Sequence, residues 1–539
     1  MMVYFDNVGA IGVIRDLPYY DLPQDAWSDA QNIRFQDGRI EKMAGESEVF
    51  EGSVSVMGSP YWLLPVQTDT SFFWLYPGSA TAWATDGDAH AALNSAGVAF
   101  SMSDNVGWNG GVIGGLAVIN NGVDEPQVWT PSLSNTLKPL QYDGSAGTTW
   151  ATASAGPLAQ VIRPFKQFLV ALDITENAVR NPRKIWWSHP AEPGTEPYTW
   201  DYNKTEYDAG QLELAETTDL LVDCLPLRDD NIIYKTGSTW RMSYIGGNQI
   251  FRLRREFDFG AISDRCIKGV YNQHFVFGTD DVILHDMQSV NQVLKKKMRT
   301  WLFANIDPTN YVRSFVAANY PKSEMWICFP ETGNDWCNKA LIWNWRDNTT
   351  TIRELSGISH IGYGLVDPSL ESTSFDGDTG ISFDADTGTF NEQAYNPTLS
   401  KMLQAYPHAT SPKLLLTDSD NTFNGTNMTS YVQRSGLPLG RQGSDGKIHV
   451  DLSKIKFVKA IYPQIKAANG TVISIYIGTQ MEIGDTISWS PAYSFTMGTD
   501  RKVDVRATAR IISIKFETAG DVWWEMDTFG VEFDYRGKR

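Results

Sequence analysis

The sequence predicts an all-β protein in which a β-propeller of about six blades is followed by a C-terminal β-sandwich. The first observation is a local unit that recurs six times between residues 60 and 330: a short apolar strand, a polar turn and a second strand with an aromatic residue. The units recur at roughly the period of propeller blades, which bury their apolar faces only against neighbouring blades. The second observation is composition, because 45 Gly, 25 Pro and 19 Trp favour many short strands joined by turns.

Each of the six units is predicted as a pair of antiparallel strands. The pairs are Trp62–Pro65 with Phe72–Tyr76, Val112–Ile119 with Pro126–Trp129, Gln167–Leu172 with Lys184–Ser188, Asn231–Lys235 with Ser238–Ser243, Asn272–Gly278 with Val282–Leu284, and Val316–Tyr320 with Glu324–Phe329. Their recurrence turns six weak hairpin predictions into one prediction of architecture.

The strand signal divides the chain into four predicted regions. They are residues 1–50, an N-terminal arm with a first strand; 51–360, the propeller; 361–446, a loop-rich acidic insertion; and 447–539, the β-sandwich. Within the arm, Asp25–Ala30 is expected to form a short helical turn. Ile33–Phe35 is expected to form a strand, which a turn at Gln36–Arg39 closes.

Alternation of apolar and polar residues returns near the C-terminus. The predicted strands there are Ile448–Leu452, Ser474–Ile477, Lys502–Val505, Ile511–Phe516 and Gly530–Tyr535. Five or more strands with no helix between them indicate a sandwich. Helix is expected only in short pieces, near Asn291–Leu302 and Pro397–Ala405.

Bulk properties argue against two classes of protein. No run approaches the roughly 18 apolar residues of a membrane span, and the start of the chain lacks the pattern of a cleaved signal. The net charge of −18 argues against a surface that grips nucleic acid, because neutralising phosphates needs clustered Lys and Arg. Four widely spaced cysteines indicate a reduced protein made in a cytoplasm.

The charge is unevenly distributed along the chain. Residues 241–300 hold ten basic side chains against six acidic ones, whereas residues 361–430 hold nine acidic side chains against two lysines. Opposite patches of this kind would suit contacts between subunits. The candidate inter-subunit residues are Arg252, Arg254, Arg255, Lys295, Lys296 and Lys297. The alternative is two solvated faces with no partner.

No motif in the sequence argues for catalysis, a cofactor or a metal. Two Asp-rich loops, at 375–380 and 383–388, place carboxylates two residues apart as calcium loops do, but the further acidic positions of an EF-hand are missing and tight turns alone explain these residues. Propellers also host glycosidases, yet no catalytic pair can be assigned from spacing, because such carboxylates meet only in three dimensions. We therefore expect no enzymatic activity and assign no catalytic, cofactor-binding or metal-binding residue.

The two ends of the chain contain its most family-specific sequence. At the N-terminus these stretches are Gly12–Pro18, Tyr20–Pro23, Ala26–Phe35 and Asp37–Ile40; at the C-terminus they are Ala509–Glu517, Trp523–Met526, Phe529–Phe533 and Arg536–Arg539. They resemble the ends of the tail nozzle proteins of short-tailed bacteriophages, also called tail tubular protein B. Between the ends, the likeness is one of architecture.

This resemblance implies a structural protein of the virion, made in the host cytoplasm and located in the distal part of the tail. In that family six copies form a ring below the portal adaptor, which continues the DNA-ejection channel and helps to retain or release the genome. The implied partners are the other copies, the adaptor and tail fibre or needle proteins. An acidic lumen would let DNA pass without specific binding, since it repels phosphates.

On this reading the N-terminal arm docks on the adaptor through Trp27, Asn32, Arg34 and Phe35, with the two aromatic residues as buried anchors. The alternative is that these aromatic residues pack the arm onto its own propeller. Two rival functions also stay open: a propeller glycosidase or lyase, and a receptor-binding module that acts on glycans of the host surface.

Overall fold

The computed structural model describes residues 1–50, 59–68, 71–87, 89–95, 98–102, 107–247, 249–366, 400–408, 411–440 and 453–537. Within these ranges almost all of the regular secondary structure is β-strand, and the predicted fold class, a β-propeller with a C-terminal β-sandwich, is confirmed. One α-helix occurs in the described part of the chain, α1 at Arg299–Asn305, which begins just after the lysine run.

The N-terminal 48 residues contribute seven short strands to several different sheets. They are β1 (Met2–Phe5), β2 (Gly12–Val13), β3 (Ala26–Trp27), β4 (Asp29–Gln31), β5 (Ile33–Gln36), β6 (Arg39–Lys42) and β7 (Glu46–Glu48). The predicted turn between β5 and β6 is present, with Asp37 and Gly38 both at positive φ (52° and 78°), as a two-residue hairpin turn requires. The predicted helical turn at Asp25–Ala30 is wrong, because β3 and β4 occupy that stretch.

The propeller strands follow in groups, each group forming one antiparallel blade. Blade 1 contains β8 (Leu64–Gln67), β9 (Phe72–Pro77), β10 (Ala82–Thr85) and β11 (His90–Ala92); blade 2 contains β12 (Asn109–Ile113), β13 (Leu116–Asn120), β14 (Gln127–Trp129) and β15 (Lys138–Pro139). A small hairpin of β16 (Gln141–Asp143) and β17 (Thr148–Thr149) precedes blade 3. Blade 3 contains β18 (Leu158–Phe165), β19 (Phe168–Glu176), β20 (Val179–Trp187) and β21 (Gly210–Glu213).

The next three blades repeat this arrangement. Blade 4 contains β22 (Leu221–Leu227), β23 (Asp230–Lys235), β24 (Thr239–Tyr244) and β25 (Phe251–Phe257); blade 5 contains β26 (Ile267–Val270), β27 (Gln273–Phe277), β28 (Val282–His285) and β29 (Val290–Gln292); blade 6 contains β30 (Phe315–Asn319), β31 (Glu324–Phe329), β32 (Cys337–Asn344) and β33 (Thr350–Ile358). On the outer side of β33, β2 adds in parallel and β3 pairs with β2.

A seventh blade closes the ring and takes its fourth strand from the N-terminal segment. It contains β34 (His360–Leu365), β35 (Ser400–Tyr406) and β36 (Lys413–Thr417), and β7 pairs with β36. Beside β7 lie β37 (Thr422–Phe423) and β38 (Thr426–Asn427). Seven blades are thus present in the described residues, where the sequence predicted about six.

The propeller is held together by apolar cores that lie between successive blades. Each neighbouring pair of blades shares one cluster of buried side chains, and the last cluster joins blade 7 to blade 1. That last cluster includes Leu403 and Leu416 of blade 7 with Trp74 and Tyr76 of blade 1. The first strands of blades contact one another, for example β22 with β26 and β34 with β8, so these strands surround the axis.

The sandwich consists of two sheets, and both include N-terminal strands. Its C-terminal strands are β39 (Thr429–Arg434), β40 (Lys456–Ala467), β41 (Val472–Gln480), β42 (Ser488–Trp489), β43 (Tyr493–Thr496), β44 (Val503–Ala509), β45 (Ile511–Ala519) and β46 (Trp524–Tyr535). One sheet runs β44-β40-β46-β6-β5, with β1 also on β46, and the other runs β4-β39-β45-β41-β42. The alternating burial of β44 matches the predicted alternation there.

Several sequence expectations differ from the structure for identifiable reasons. The predicted strand Val112–Ile119 is two strands, because Gly114 and Gly115 at positive φ turn the chain between β12 and β13. The second predicted helix, at Pro397–Ala405, overlaps β35, so the helix assignment is wrong over its described part. The predicted insertion at 361–446 contains most of blade 7, whose strands the acidic loops around them obscured. The Asp-rich loops and the predicted strand Ile448–Leu452 lie outside the described residues.

Candidate interaction surfaces

Arg34 lies at the joint between the sandwich and the propeller, and its side chain is only 4% exposed. Its Nε donates a hydrogen bond to Oε1 of Glu324 (2.6 Å) and its Nη2 donates to Oδ2 of Asp418 (2.9 Å). Glu324 belongs to blade 6, whereas Asp418 directly follows the third strand of blade 7. One cation on the hairpin β5–β6 therefore holds two neighbouring blades.

A second arginine, Arg353, completes the charge network of this joint. It donates to Oδ1 of Asp418 (3.1 Å), and its guanidinium lies 4.8 Å from the ring centre of Trp326. Burial favours the neutral form of Asp418, but Arg34 and Arg353 outweigh it and lower the pKa of this carboxyl group. Asp418 is therefore held ionised between the two cations.

The other three residues predicted to dock on an adaptor are also internal. Trp27 is 2% exposed, packs against Phe516 and Phe529, and donates its indole N–H to the carbonyl of Val8. Asn32 is fully buried and donates to the carbonyl of Thr429 (2.8 Å), and Phe35 is 1% exposed.

We therefore correct the docking assignment of Trp27, Asn32, Arg34 and Phe35. These four side chains attach the N-terminal segment to the rest of its own chain and present no exposed surface to a partner. The sequence left docking and internal packing of the arm as alternatives, because buried anchors and exposed docking residues have the same composition. Three consecutive threonines also hold the N-terminal segment in place. The hydroxyl groups of Thr349, Thr350 and Thr351 donate hydrogen bonds to backbone carbonyls of that segment.

The predicted basic residues of blade 4 lie on its edge strand. Arg252, Arg254 and Arg255 are exposed on β25, which in the described part of the chain pairs only with β24. Arg255 bonds Asp258 (2.6 Å), and Arg254 lies 3.7 Å from Glu256. Charges on an edge strand discourage unwanted strand pairing, so this surface is compatible with an ionic contact and with simple edge protection.

The lysine run splits into two exposed residues and one structural residue. Lys295 and Lys296 are exposed, whereas Lys297 donates its ammonium group to the carbonyl of Asn348. The backbone carbonyl of Lys297 also accepts from the N–H groups of Arg15 (2.8 Å) and Asp16 (3.0 Å). Burial lowers the pKa of Lys297 to about 8. Lys297 therefore anchors the N-terminal segment, and only the first two lysines are available to a partner.

The proposed acidic counterpart is largely outside the described residues. The two described carboxylates of residues 361–430 are committed within the chain: Asp418 to the joint, and Asp420 to the N–H of Asn421 (2.7 Å) and to the hydroxyl of Thr422. Neither of these two described carboxylates is therefore available to the basic strand of another copy.

A charged centre that the sequence analysis missed lies where the inner strands meet. Arg163 of β18 forms two 2.8 Å hydrogen bonds to Asp223 of β22 and donates to the carbonyl of Gly110 on β12. Asp223 also accepts from the backbone N–H of Arg265, just before β26 (3.2 Å). The pair thus ties four consecutive blades together near the axis. No sequence spacing could reveal it, because its members lie in four different blades.

An open cleft of about 930 Å³ lies between blades 2 and 3. One wall is the connection from β14 to β15, and the other is the long connection from β20 to β21, which includes His189, Glu192, Glu196, Tyr198 and Tyr207. The rings of Tyr198 and Tyr207 lie 5.3 Å apart, and the His189 and Tyr207 rings lie 5.1 Å apart.

The walls of this cleft are fixed by hydrogen bonds and by ring packing. Glu196 accepts from the backbone N–H of Gln141 (2.7 Å), and Lys204 bonds both oxygens of Asp143 on the small hairpin (2.8 and 2.7 Å). Burial raises the pKa of the Glu196 carboxyl group, partly offset by that hydrogen bond. Trp200 packs against Trp150 beneath, with ring centres 5.0 Å apart. The long connection is therefore a preformed wall.

No cluster of three or more His, Cys, Asp or Glu side chains suited to a metal occurs in the described ranges. The four cysteines are buried free thiols. None of the helices in the described part of the chain is long and apolar enough to cross a membrane.

Comparison with known proteins gives matches at the level of structure alone. No family model matches the chain, and no curated protein sequence matches it. Similar solved structures include a glycoside hydrolase (8% identity; 89% of this chain and 99% of that chain; TM-score 0.25) and an exo-β-1,3-galactanase from Phanerochaete chrysosporium (8%; 91% and 100%; 0.23). The Dos1 propeller is another (10%; 70% and 95%; 0.35).

These neighbours correct the expectation that the chain has no enzymatic activity, because two of them are glycoside-cleaving enzymes. The expectation rested on missing sequence motifs, but the carboxylates of a glycosidase come together only in the folded chain. At TM-scores of 0.25 and 0.23, however, the likeness assigns neither an activity nor a catalytic residue to this chain.

Proposed function

We propose that the chain is a structural subunit of a short-tailed phage tail: one of six copies in the nozzle ring that continues the DNA-ejection channel below the portal adaptor. One observation carries the proposal. The N-terminal and C-terminal stretches that resemble nozzle proteins fold together, since β46 pairs with β6, and β45 and β4 both pair with β39. Stretches more than 450 residues apart thus form one structural unit.

The charge of the chain is consistent with this role. Six copies at −18 each would make a strongly acidic ring, and a lumen of that sign repels DNA phosphates, so the genome can pass without being bound. A closed ring of six also needs a heterologous interface, in which one patch meets a different patch of the next copy. We assign the basic half of that interface to the exposed side chains of β25 together with Lys295 and Lys296.

Because the four predicted docking residues are buried, the adaptor must contact other, exposed residues, and we place this contact on the sandwich or near its joint with the propeller. Exposed apolar side chains occur there at Tyr4 (56%) and Ile483 (52%). These side chains replace Trp27 and Phe35 as candidates for the adaptor contact.

The test is reconstitution of the purified full chain with the portal–adaptor complex from the same virion, followed by electron microscopy. We expect six copies in a ring at the distal end of the adaptor, and antibody against the chain should label only the distal tail of intact virions. Virions without label, or an adaptor that recruits no copies, would contradict the proposal.

A second candidate function is cleavage or binding of a glycan on the host surface, favoured by the open polar cleft between blades 2 and 3. Incubation of the purified chain with capsule or lipopolysaccharide tests for cleavage, with reducing ends as the readout. Release of reducing ends would add an enzymatic role to the structural one, and no release would leave cleavage without support.

A further inference from the structure

We propose that the cleft between blades 2 and 3 is a binding site for a neutral oligosaccharide. The inference rests on the second candidate function, which it narrows to one site and one class of ligand, and it does not depend on ring assembly. It begins from the size of the cleft: about 930 Å³ is near the upper end of the roughly 300–1,000 Å³ typical of sites for small organic ligands. That volume accommodates more than one sugar ring.

The chemistry of the walls fits hydroxyl-rich ligands. The wall from β14 to β15 presents short polar side chains, among them Thr130, Ser134, Asn135 and Thr136, and the opposite wall presents carboxylates. Hydroxyl and carboxamide groups donate and accept hydrogen bonds, and carboxylates accept them, as sugar hydroxyls require. The wall is too polar for an apolar ligand, since burying these groups without partners would cost free energy.

An aromatic surface supplies the other half of saccharide recognition. The Tyr198 ring is 41% exposed beside Tyr207, so the pair offers apolar ring area together with two hydroxyl groups. The apolar C–H face of a pyranose packs on such rings while its hydroxyls reach the polar wall. His189 adds a donor: its Nδ1 accepts from the N–H of Asp208 (3.1 Å), which leaves the proton on Nε2.

Electrostatics select against anionic ligands. Glu192 and Glu196 line the cleft against one cation, Lys138, so the local charge is negative. A polyanion such as nucleic acid or an acidic polysaccharide would be repelled there. The walls are also fixed in advance by the Asp143–Lys204 pair and the Glu196 hydrogen bond, so binding needs little ordering of the chain.

A neutral-glycan array probed with the full purified chain tests the proposal, and the strongest glycan on it is then titrated by calorimetry. Tyr198→Ala is expected to weaken binding at least tenfold, equivalent to about 1.4 kcal/mol. Glu192→Ala, a change at an exposed position, should weaken it several-fold without affecting folding. Tyr311→Ala removes a similarly exposed tyrosine (38%) from the turn that precedes blade 6, and should leave affinity unchanged.

Two results would overturn the proposal: no neutral glycan bound on the array, or a bound glycan whose affinity is unchanged in both Tyr198→Ala and Glu192→Ala. Thermal melting of each variant separates loss of binding from loss of fold. Ring assembly by the same variants should be normal, so failure of this site and failure of the nozzle proposal are distinguishable.

Discussion

Replacing Arg34 with Ala should destabilise the protein far more than any exposed arginine substitution. The side chain is 4% exposed and is the main cationic partner of Glu324, which is itself only 2% exposed. The substitution leaves that carboxylate buried with two neutral hydrogen bonds, from the carboxamide of Asn319 (3.4 Å) and the indole of Trp326 (3.1 Å). Breaking a buried ion pair from one side costs about 3–5 kcal/mol.

The same hairpin provides a matched control in Arg39. Its side chain is 58% exposed and lies 3.0 Å from Glu525 and 3.4 Å from Asp527. Ion pairs with an exposed member contribute about 0–1 kcal/mol, and because the partner Glu525 is only 11% exposed we expect Arg39→Ala to cost close to 1 kcal/mol, still well below Arg34→Ala. The two variants therefore compare a buried cation with an exposed one on the same hairpin.

The assay is urea unfolding followed by tryptophan fluorescence, with the midpoints of the three proteins compared under identical conditions. The double variant Arg34→Met with Glu324→Gln should recover part of the loss, because it leaves no unpaired buried charge at Glu324. Equal midpoints for Arg34→Ala and Arg39→Ala would refute the argument that this network fastens the sandwich to the propeller.

Three further outcomes are expected. His274 and His285 are buried, and burial lowers their pKa values to about 4 and about 3, so the unfolded chain binds their protons first as pH falls below about 6.5. As pH falls from about 6.5 to its folded pKa, each histidine should therefore lower the free energy of unfolding by up to about 1.4 kcal/mol per pH unit. In His285→Gln, the free energy of unfolding should depend less steeply on pH. Charge reversal of Lys295 and Lys296 should weaken ring assembly in mass photometry while melting stays unchanged; unaltered rings would contradict the assigned interface. Gly45→Ala places a Cβ 1.9 Å from the carbonyl oxygen of Thr422, so its melting temperature should fall clearly, and an unchanged value would contradict the close packing there.

The sequence predicted the blades well because the strands of one blade lie close together along the chain. Apolar strands, polar turns and an aromatic residue lie within a few tens of residues of one another, so five of the six predicted hairpins appear as hairpins of the propeller at nearly the predicted positions. The exception was the strand Val112–Ile119, where Gly114-Gly115 marked a turn inside an apolar run.

Long-range features escaped prediction for the complementary reason. The fourth strand of blade 7 comes from Glu46–Glu48, and no local pattern marks a three-residue strand whose partner, β36, is about 370 residues away. The Arg163–Asp223 centre and the Tyr-lined cleft likewise assemble from separate blades and connections. Arg34 was predicted to dock on an adaptor, but it is buried by Glu324 and Asp418, which only the folded chain brings near it.

The N-terminal segment has a mechanical consequence for any assembly that contains this chain. β6 belongs to the sandwich and β7 to blade 7, and only residues 43–45 separate them. A rotation of the sandwich relative to the propeller must therefore pull on the strand that completes blade 7, and it must also break the bonds of Arg34 to blades 6 and 7. Force applied to the sandwich is transmitted to the closure of the propeller through this short connection. In a ring built from such subunits, load would pass between the sandwiches and the propellers without relying on a flexible linker.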